Sequence, residues 1–140
     1  MSDHILVPYD GSEPAESALE YAFENFSDAD VTALYVLSVP EGYWGAFEGA
    51  DDEISDEARK RGESVLEEAT AVAKEHDIDD FETELASGTP DHEIVARVEE
   101  EAYDTVVIGS HGREGVSRIL LGSVAENVVR RAPVPVMVVR

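Results

Sequence analysis

The feature that most limits what this chain can become is a regular alternation. Short β-rich apolar runs take turns with longer stretches that carry an apolar stripe at helical spacing. Ile5-Leu6-Val7 reads as a buried strand ending at Pro8, and Val31 to Val39, Thr105 to Ile108 and Val134 to Val139 read the same way. Phe81 to Leu85 alternates at period two, which suits a half-exposed strand. Between the strands, Ala15, Ala18, Leu19, Ala22, Phe23 and Phe26 share one helical face opposite Glu16, Glu20 and Glu24. Ala58, Val65, Leu66, Ala69, Val72 and Ala73 mark a second helix over about Glu53 to His76, and Ile94, Val95, Val98 and Ala102 mark a third. Ser123-Val124-Ala125-Glu126 has the form of a capping box, with Ser123 as cap of a helix running to about Arg131. The order β-α-β-α-β-α-β-α-β predicts an α/β layer fold with a mostly parallel sheet and right-handed crossovers. No domain boundary is evident, so residues 1–140 are expected to form a single domain.

The turns between these elements carry the chemical information. Asp10-Gly11-Ser12 is a turn, followed by Pro14 in a first helical turn, and Thr89-Pro90-Asp91 is a second helix start. No G-x-x-x-x-G-K-[ST] occurs, which excludes a P-loop. The first βα turn also lacks G-x-G-x-x-G. A carboxylate at Asp10 repels a pyrophosphate, but it can accept hydrogen bonds from a ribose hydroxyl. After the fourth strand, Gly109-Ser110-His111-Gly112-Arg113-Glu114-Gly115 leads on to Leu121-Gly122-Ser123-Val124. Glycines there let backbone N–H groups approach a ligand, and the free N–H groups at the start of the following helix suit a phosphate. The competing reading is a glycine-punctuated loop followed by an ordinary cap.

Charge narrows the partners. Against 10 Lys and Arg stand 32 Asp and Glu, a net of −22. That balance argues against nucleic acid and anionic membranes as partners. It also suggests adaptation to a salt-rich cytoplasm, the alternative being an ordinary solvated acidic face. Residues 1–104 hold 5 bases against 30 acids, a net of −25, whereas residues 105–140 hold 5 Arg against 2 Glu, a net of +3. The cationic stretch is the glycine-rich one, so an anionic ligand is expected there. With no Cys, disulfides, thiol catalysis and cysteine–zinc sites are excluded. The start of the chain has no basic residue before its apolar run, and no apolar stretch approaches a membrane span, so a cytoplasmic protein is expected.

With these residues in view, the chain resembles the universal stress protein family over essentially its whole length. The resemblance rests on Ile5-Leu6-Val7-Pro8-Tyr9-Asp10-Gly11-Ser12, on the closing Pro133 to Val139, and above all on G-x2-G-x9-G-[ST], standing here as Gly109, Gly112, Gly122 and Ser123. It implies a three-layer open twisted five-stranded parallel sheet of order 3-2-1-4-5 with helices on both faces. It also implies membership of the ATP-binding branch. In that branch Pro8 and Asp10 meet the nucleoside, and backbone at Val36 meets adenine. Ile108, Gly109, Ser110, His111, Gly112, Arg113, Glu114 and Gly115, with Gly122, Ser123, Val124 and Ala125, surround the phosphates. The expected ligand is ATP or AMP, with Mg2+ or Mn2+ carried on the phosphates, in a regulatory stress-response protein with little or no turnover. Two alternatives stay open: a slow nucleotide hydrolase using His111 as base, and an interaction module with a vestigial site. Relatives also imply a homodimer through the last strand, whose Val134, Val136 and Val138 face one way and Pro135, Met137 and Val139 the other.

The remaining candidates have simpler readings. His92 is expected at the surface or as a cap, and His4 and His76 on the solvent side. No two His share a metal-ligand spacing, so no protein-only metal site is expected. Tyr43, Trp44 and Phe47, between Pro40 and Asp52, fit either a lid over the site or the packing of a long loop onto the domain.

Overall fold

A computed structural model describes residues 3–26, 28–38, 51–110 and 122–140, the side chains of 38 and 51–55 excepted. The chain runs β1 (His4–Pro8), α1 (Glu13–Asn25), β2 (Asp30–Ser38), α2 (Asp51–Glu75), β3 (Phe81–Gly88), α3 (Pro90–Glu100), β4 (Thr105–Gly109), α4 (Ser123–Arg131) and β5 (Val136–Val139). All four strand pairings are parallel, in the order β3-β2-β1-β4-β5. The expected topology is the observed one.

Continuous apolar strands arise here because both faces of the sheet are covered. Successive side chains of β1 point to opposite faces. Ile5 and Val7 join Val31, Ala33 and Val107 against Ala18, Leu19 and Phe23 of α1 and Leu66, Ala69 and Ala73 of α2. Leu6 joins Leu34, Val106 and Ile108 against Ile94 and Val98 of α3 and Ala125 and Val128 of α4. Ile5, Leu6 and Val7 are wholly buried, so truncating any of them to Ala removes about 2–5 kcal/mol. Two helices therefore cover each face. The chain winds outward from β1 through β2 to β3, then crosses to the other side of β1 for β4 and β5.

Element ends differ from the sequence reading for local reasons. β5 begins at Val136 rather than Val134, because Pro135 has no N–H to give the ladder, although its carbonyl accepts Val106 N–H at 3.0 Å. α3 ends at Glu100, leaving Ala102 exposed, and Tyr103 fills the core in its place. The stretch from 39 to 50, with Tyr43, Trp44 and Phe47, lies outside the described residues.

Two histidines expected on the solvent side are partly buried instead. His4 stacks on Tyr103 with ring centroids 4.0 Å apart, and its Nε2 lies 3.3 Å from Oγ1 of the buried Thr32. Burial pushes the Tyr103 hydroxyl up to about 12, despite its hydrogen bond with Thr32. His76 follows the last turn of α2. Its Nδ1 lies 3.0 Å from Val72 O, and its Nε2 lies 3.5 Å from Glu24 Oε2 of α1. His92 is exposed, as expected.

The hydrogen bond to the Val72 carbonyl, at the negative end of the α2 dipole, holds the His76 pKa above its ordinary 6.5; burial opposes this and Glu24 adds to it. A folded pKa above the unfolded one stabilises the protein fully below the unfolded value. That contribution is lost as pH rises through the folded value. At fixed salt, the denaturation midpoint should therefore fall as pH rises from about 6.5 upward, and His76→Gln should flatten that part of the profile. Superimposable profiles for parent and variant would remove His76 from this role.

Candidate functional site

The place where the chain changes direction is also where the strands end unequally. β1 pairs with β2 only as far as Pro8 opposite Leu34, whereas β2 and β3 continue to Ser38 opposite Gly88. The carboxyl half of β2 thus stands as a wall beyond the end of β1. On the other side, β4 continues to Gly109 opposite Val139. A cleft of about 270 Å³ opens between them, near the lower end of small-molecule sites (about 300–1,000 Å³). This is the switch point at which open α/β sheets bind ligands.

Six of the residues singled out in the sequence line this cleft: Pro8, Asp10, Val36, Ile108, Gly109 and Val124. Sequence reasoning missed Tyr9, Ala15, Leu34, Tyr35, Pro90 and Ile94, which complete the lining. Pro90 and Ile94 had a usable signal, since they lie one turn apart at the start of the helix that follows β3. An apolar residue in such a turn looks like core until the topology places that turn over the cleft. His111, Gly112, Arg113, Glu114 and Gly115 lie outside the described residues.

The backbone of β2 gives the wall its polarity. Asp30 N–H donates to Asp3 O and Leu34 O accepts Tyr9 N–H, so even-numbered residues of β2 face β1. Val31 N–H donates to Asp80 O on the opposite side. Val36 therefore turns its amide and carbonyl toward the side of β1, at a level where β1 has already ended.

The first βα turn is closed upon itself. Gly11 has φ +83, a left-handed conformation that glycine adopts without strain. Asp10 Oδ1 accepts Ser12 N–H at 3.0 Å, and Ser12 Oγ accepts Ala15 N–H at 3.3 Å as the N-cap of α1. Pro14, in the same turn, has no N–H. These bonds occupy two of the amides that an anion at this turn could otherwise use. Asp10 thus has a structural task besides the nucleoside contact expected of it.

α4 begins differently. Its N-cap is Gly122, and no side chain caps it. Ser123 is the first helical residue and is exposed, so the capping box expected there does not form. The first backbone bond of the helix is Glu126 N–H to Gly122 O, which leaves the amides of Ser123, Val124 and Ala125 ahead of the ladder. The side chain of Ala125 is wholly buried in the core, so only its backbone can meet a ligand. Ser110 donates its N–H to Val139 O and does not line the cleft.

Gly109 has a reason of its own. A Cβ there would lie 2.3 Å from Pro14 O and 2.4 Å from Pro14 C. The end of β4 is therefore seated directly on the backbone of the first turn of α1. The glycine expected to admit a ligand first admits a helix.

Among the described residues, the one charged group in the cleft lining is the carboxylate of Asp10. Burial pushes the Tyr9 hydroxyl up to about 12, reinforced by Glu16, Glu68, Asp10 and Glu20 in that order. The described arginines near α3 and α4 each lie beside a carboxylate. Arg97 reaches Glu84 at 2.9 Å, Arg130 reaches Glu126 at 2.9 Å, and Arg131 lies 4.0 Å from Asp91. Of these contacts only Arg131–Asp91 offsets the cationic excess read from residues 105–140, since Glu126 belongs to the same stretch and Arg97 lies outside it. Among the described residues no group of three or more His, Asp or Glu could hold a metal ion, and no helix is long and apolar enough to cross a membrane.

Comparison with known proteins agrees with this architecture. The family model described as "Universal stress protein family" matches residues 1–140, and the chain belongs to that family. A universal stress protein of Methanocaldococcus jannaschii is 36% identical over 138 residues, covering 97% of this chain and 81% of that protein. The solved structure of UspA from Lactobacillus plantarum superposes with a TM-score of 0.84 at 27% identity, covering 99% of this chain and 97% of the other. A universal stress protein in complex with cAMP superposes with a TM-score of 0.74 at 28% identity, covering 99% of this chain and 97% of the other.

The Gly109 contact yields a prediction about stability. Gly109→Ala forces the first turn of α1 away from β4, and the denaturant midpoint should drop by the equivalent of about 1–3 kcal/mol. An unchanged midpoint would mean that the turn yields without cost.

Proposed function

We propose that this chain is a regulatory nucleotide-binding protein that holds an adenine nucleotide, ATP or AMP, in the switch-point cleft with little or no turnover. One observation carries the reading. An apolar slot between Val36, Pro90 and Ile94 leads, past Asp10, toward the start of α4, where Gly122 brings no capping side chain. The slot suits a base, and the Val36 amide and carbonyl suit the N1 and N6 edge of adenine. Asp10 suits the ribose hydroxyls, and the amides of Ser123, Val124 and Ala125 suit a phosphate. The related protein solved with cAMP supports an adenine nucleotide as the ligand class. The nucleotide is proposed to carry Mg2+ or Mn2+ on its phosphates. Slow or absent turnover is part of this reading, and His111, the base of the hydrolase alternative, lies outside the described residues. The acidity of the chain fits work in a salt-rich cytoplasm.

Calorimetry with ATP, ADP and AMP in concentrated salt tests the reading. Micromolar-range binding is expected, with guanine nucleotides weaker because their donors and acceptors are reversed along that edge. No heat with any adenine nucleotide would sink it. Gly122→Asp sharpens the test. Asp is a better N-cap than Gly by a few tenths of a kcal/mol, so its own carboxylate should occupy the helix start. Thermal stability should hold or rise slightly while nucleotide binding disappears, and Ser123→Ala should have only a mild effect. Parental affinity in the Gly122 variant would take α4 out of the site.

We also propose a homodimer built on β5. Its apolar residues pack half-buried onto the two cores, Met137 and Val139 on one and Val136 and Val138 on the other. β4 occupies one of its edges, and no described strand pairs with the other. The opposite edge of the sheet, β3, carries Glu82 and Glu84, while no charge interrupts β5. Charge is one way that folds blunt an edge against pairing, and β5 lacks it. Antiparallel pairing of two copies of β5 resolves this. Sedimentation in concentrated salt should give a dimer for the parent and a monomer for a folded Val138→Lys variant. A monomeric parent at tens of micromolar would refute the pairing.

A further inference from the structure

We infer that the cleft selects its adenine nucleotide by charge, admitting neutral or charge-reduced forms in dilute salt and free polyphosphate only when salt screens the surrounding acids. The inference rests on the nucleotide reading above and concerns the regulation of that same site. Its starting point is geometric. Asp10 is the one charged residue in the described lining, Glu68 of α2 brings Oε2 within 3.9 Å of where a Cβ on Gly11 in the adjoining turn would stand, and Glu16 and Glu20 of α1 are near enough to act on the Tyr9 hydroxyl. Burial is the main cause of the raised Tyr9 pKa, and these acids add to it. Arg97, Arg130 and Arg131, which stand on the helices beside the cleft, each lie beside a carboxylate. Around this site the whole chain carries −22.

A field of one sign focused in a cleft changes association rates by about 10–10³-fold. For an attractive site, added salt weakens binding. Here the ligand and the field have the same sign, so the dependence reverses. The screening length shrinks from about 10 Å at 0.1 M to about 3 Å at 1 M, which removes repulsion from acids a helix away but leaves contact hydrogen bonds in place. A divalent cation on the phosphates has a similar effect at low salt by lowering the charge of the ligand. Adenosine, which has no phosphate, feels neither.

The experiment compares calorimetric affinities for adenosine and for ATP in a metal chelator, with KCl varied from about 0.1 M to about 1 M. ATP should gain about tenfold relative to adenosine over that range. In dilute salt, Mg2+ should recover most of the gain. The variant Glu16→Gln/Glu20→Gln/Glu68→Gln should bind ATP more tightly at low salt and flatten the slope. Its control is Asp79→Asn/Asp80→Asn/Glu82→Gln, the same change in net charge at the amino ends of the strands, where these acids line a separate pocket with His4 and Thr32. The control should leave the slope in place. ATP affinity that falls with salt, or two triple variants that behave alike, overturns the inference while leaving nucleotide binding intact. If adenosine and ATP both fail to bind at every salt concentration, the nucleotide reading falls and takes this inference with it.

Discussion

Everything at the carboxyl end of the sheet depends on the seat that β4 takes against α1. Gly109 places backbone on backbone, with no room for a single methyl group between β4 and Pro14. That contact fixes how close the β4 side of the cleft lies to the Asp10 turn. It also fixes where the chain leaves β4 to reach α4. Because β1 ends at Pro8 while its neighbour β2 runs on, the same seat makes a cleft instead of a flat sheet end. The constraint is steric, and it is local to a few atoms.

The polar groups around that cleft are divided by prior use. At the start of α1, Asp10 and Ser12 accept the amides of Ser12 and Ala15 and Pro14 offers none, so fewer donors remain there for an anion. At the start of α4, Gly122 brings no side chain and the amides remain ahead of the ladder. One end of the cleft is therefore suited to hydroxyls and the other to an anion, without a single described basic side chain in its lining. Acid chains on α1 and α2 then set the field in which any charged ligand must arrive.

Much of the fold was legible in the sequence because period and burial are coupled. A strand covered on both faces must be apolar throughout, and a helix lying on a sheet must carry one apolar stripe. Ile5-Leu6-Val7 and the stripe from Ala15 to Phe23 obey these rules closely, and their elements appear where the pattern puts them. The strand order came from the family resemblance, since periodicity carries no information about which strands are neighbours. The arginines of residues 105–140 look available in sequence, but Arg130 and Arg131 each meet a carboxylate on the folded surface.

What the sequence determined by itself was the set of elements, the glycine-bearing turn after β4, and the position of Asp10 at the end of β1. These are properties of neighbours along the chain, and local sterics and periodicity are enough to fix them. Tertiary structure alone decided that Pro90 and Ile94 face Val36 across a cleft and that Gly109 is required by α1. It also decided that Ser123 does not cap its helix and that His4 and His76 are tucked against Thr32 and Glu24. Each of those facts is a distance between residues far apart in the chain or a choice among backbone bonds. Such distances are set only when the whole sheet has closed its two cores.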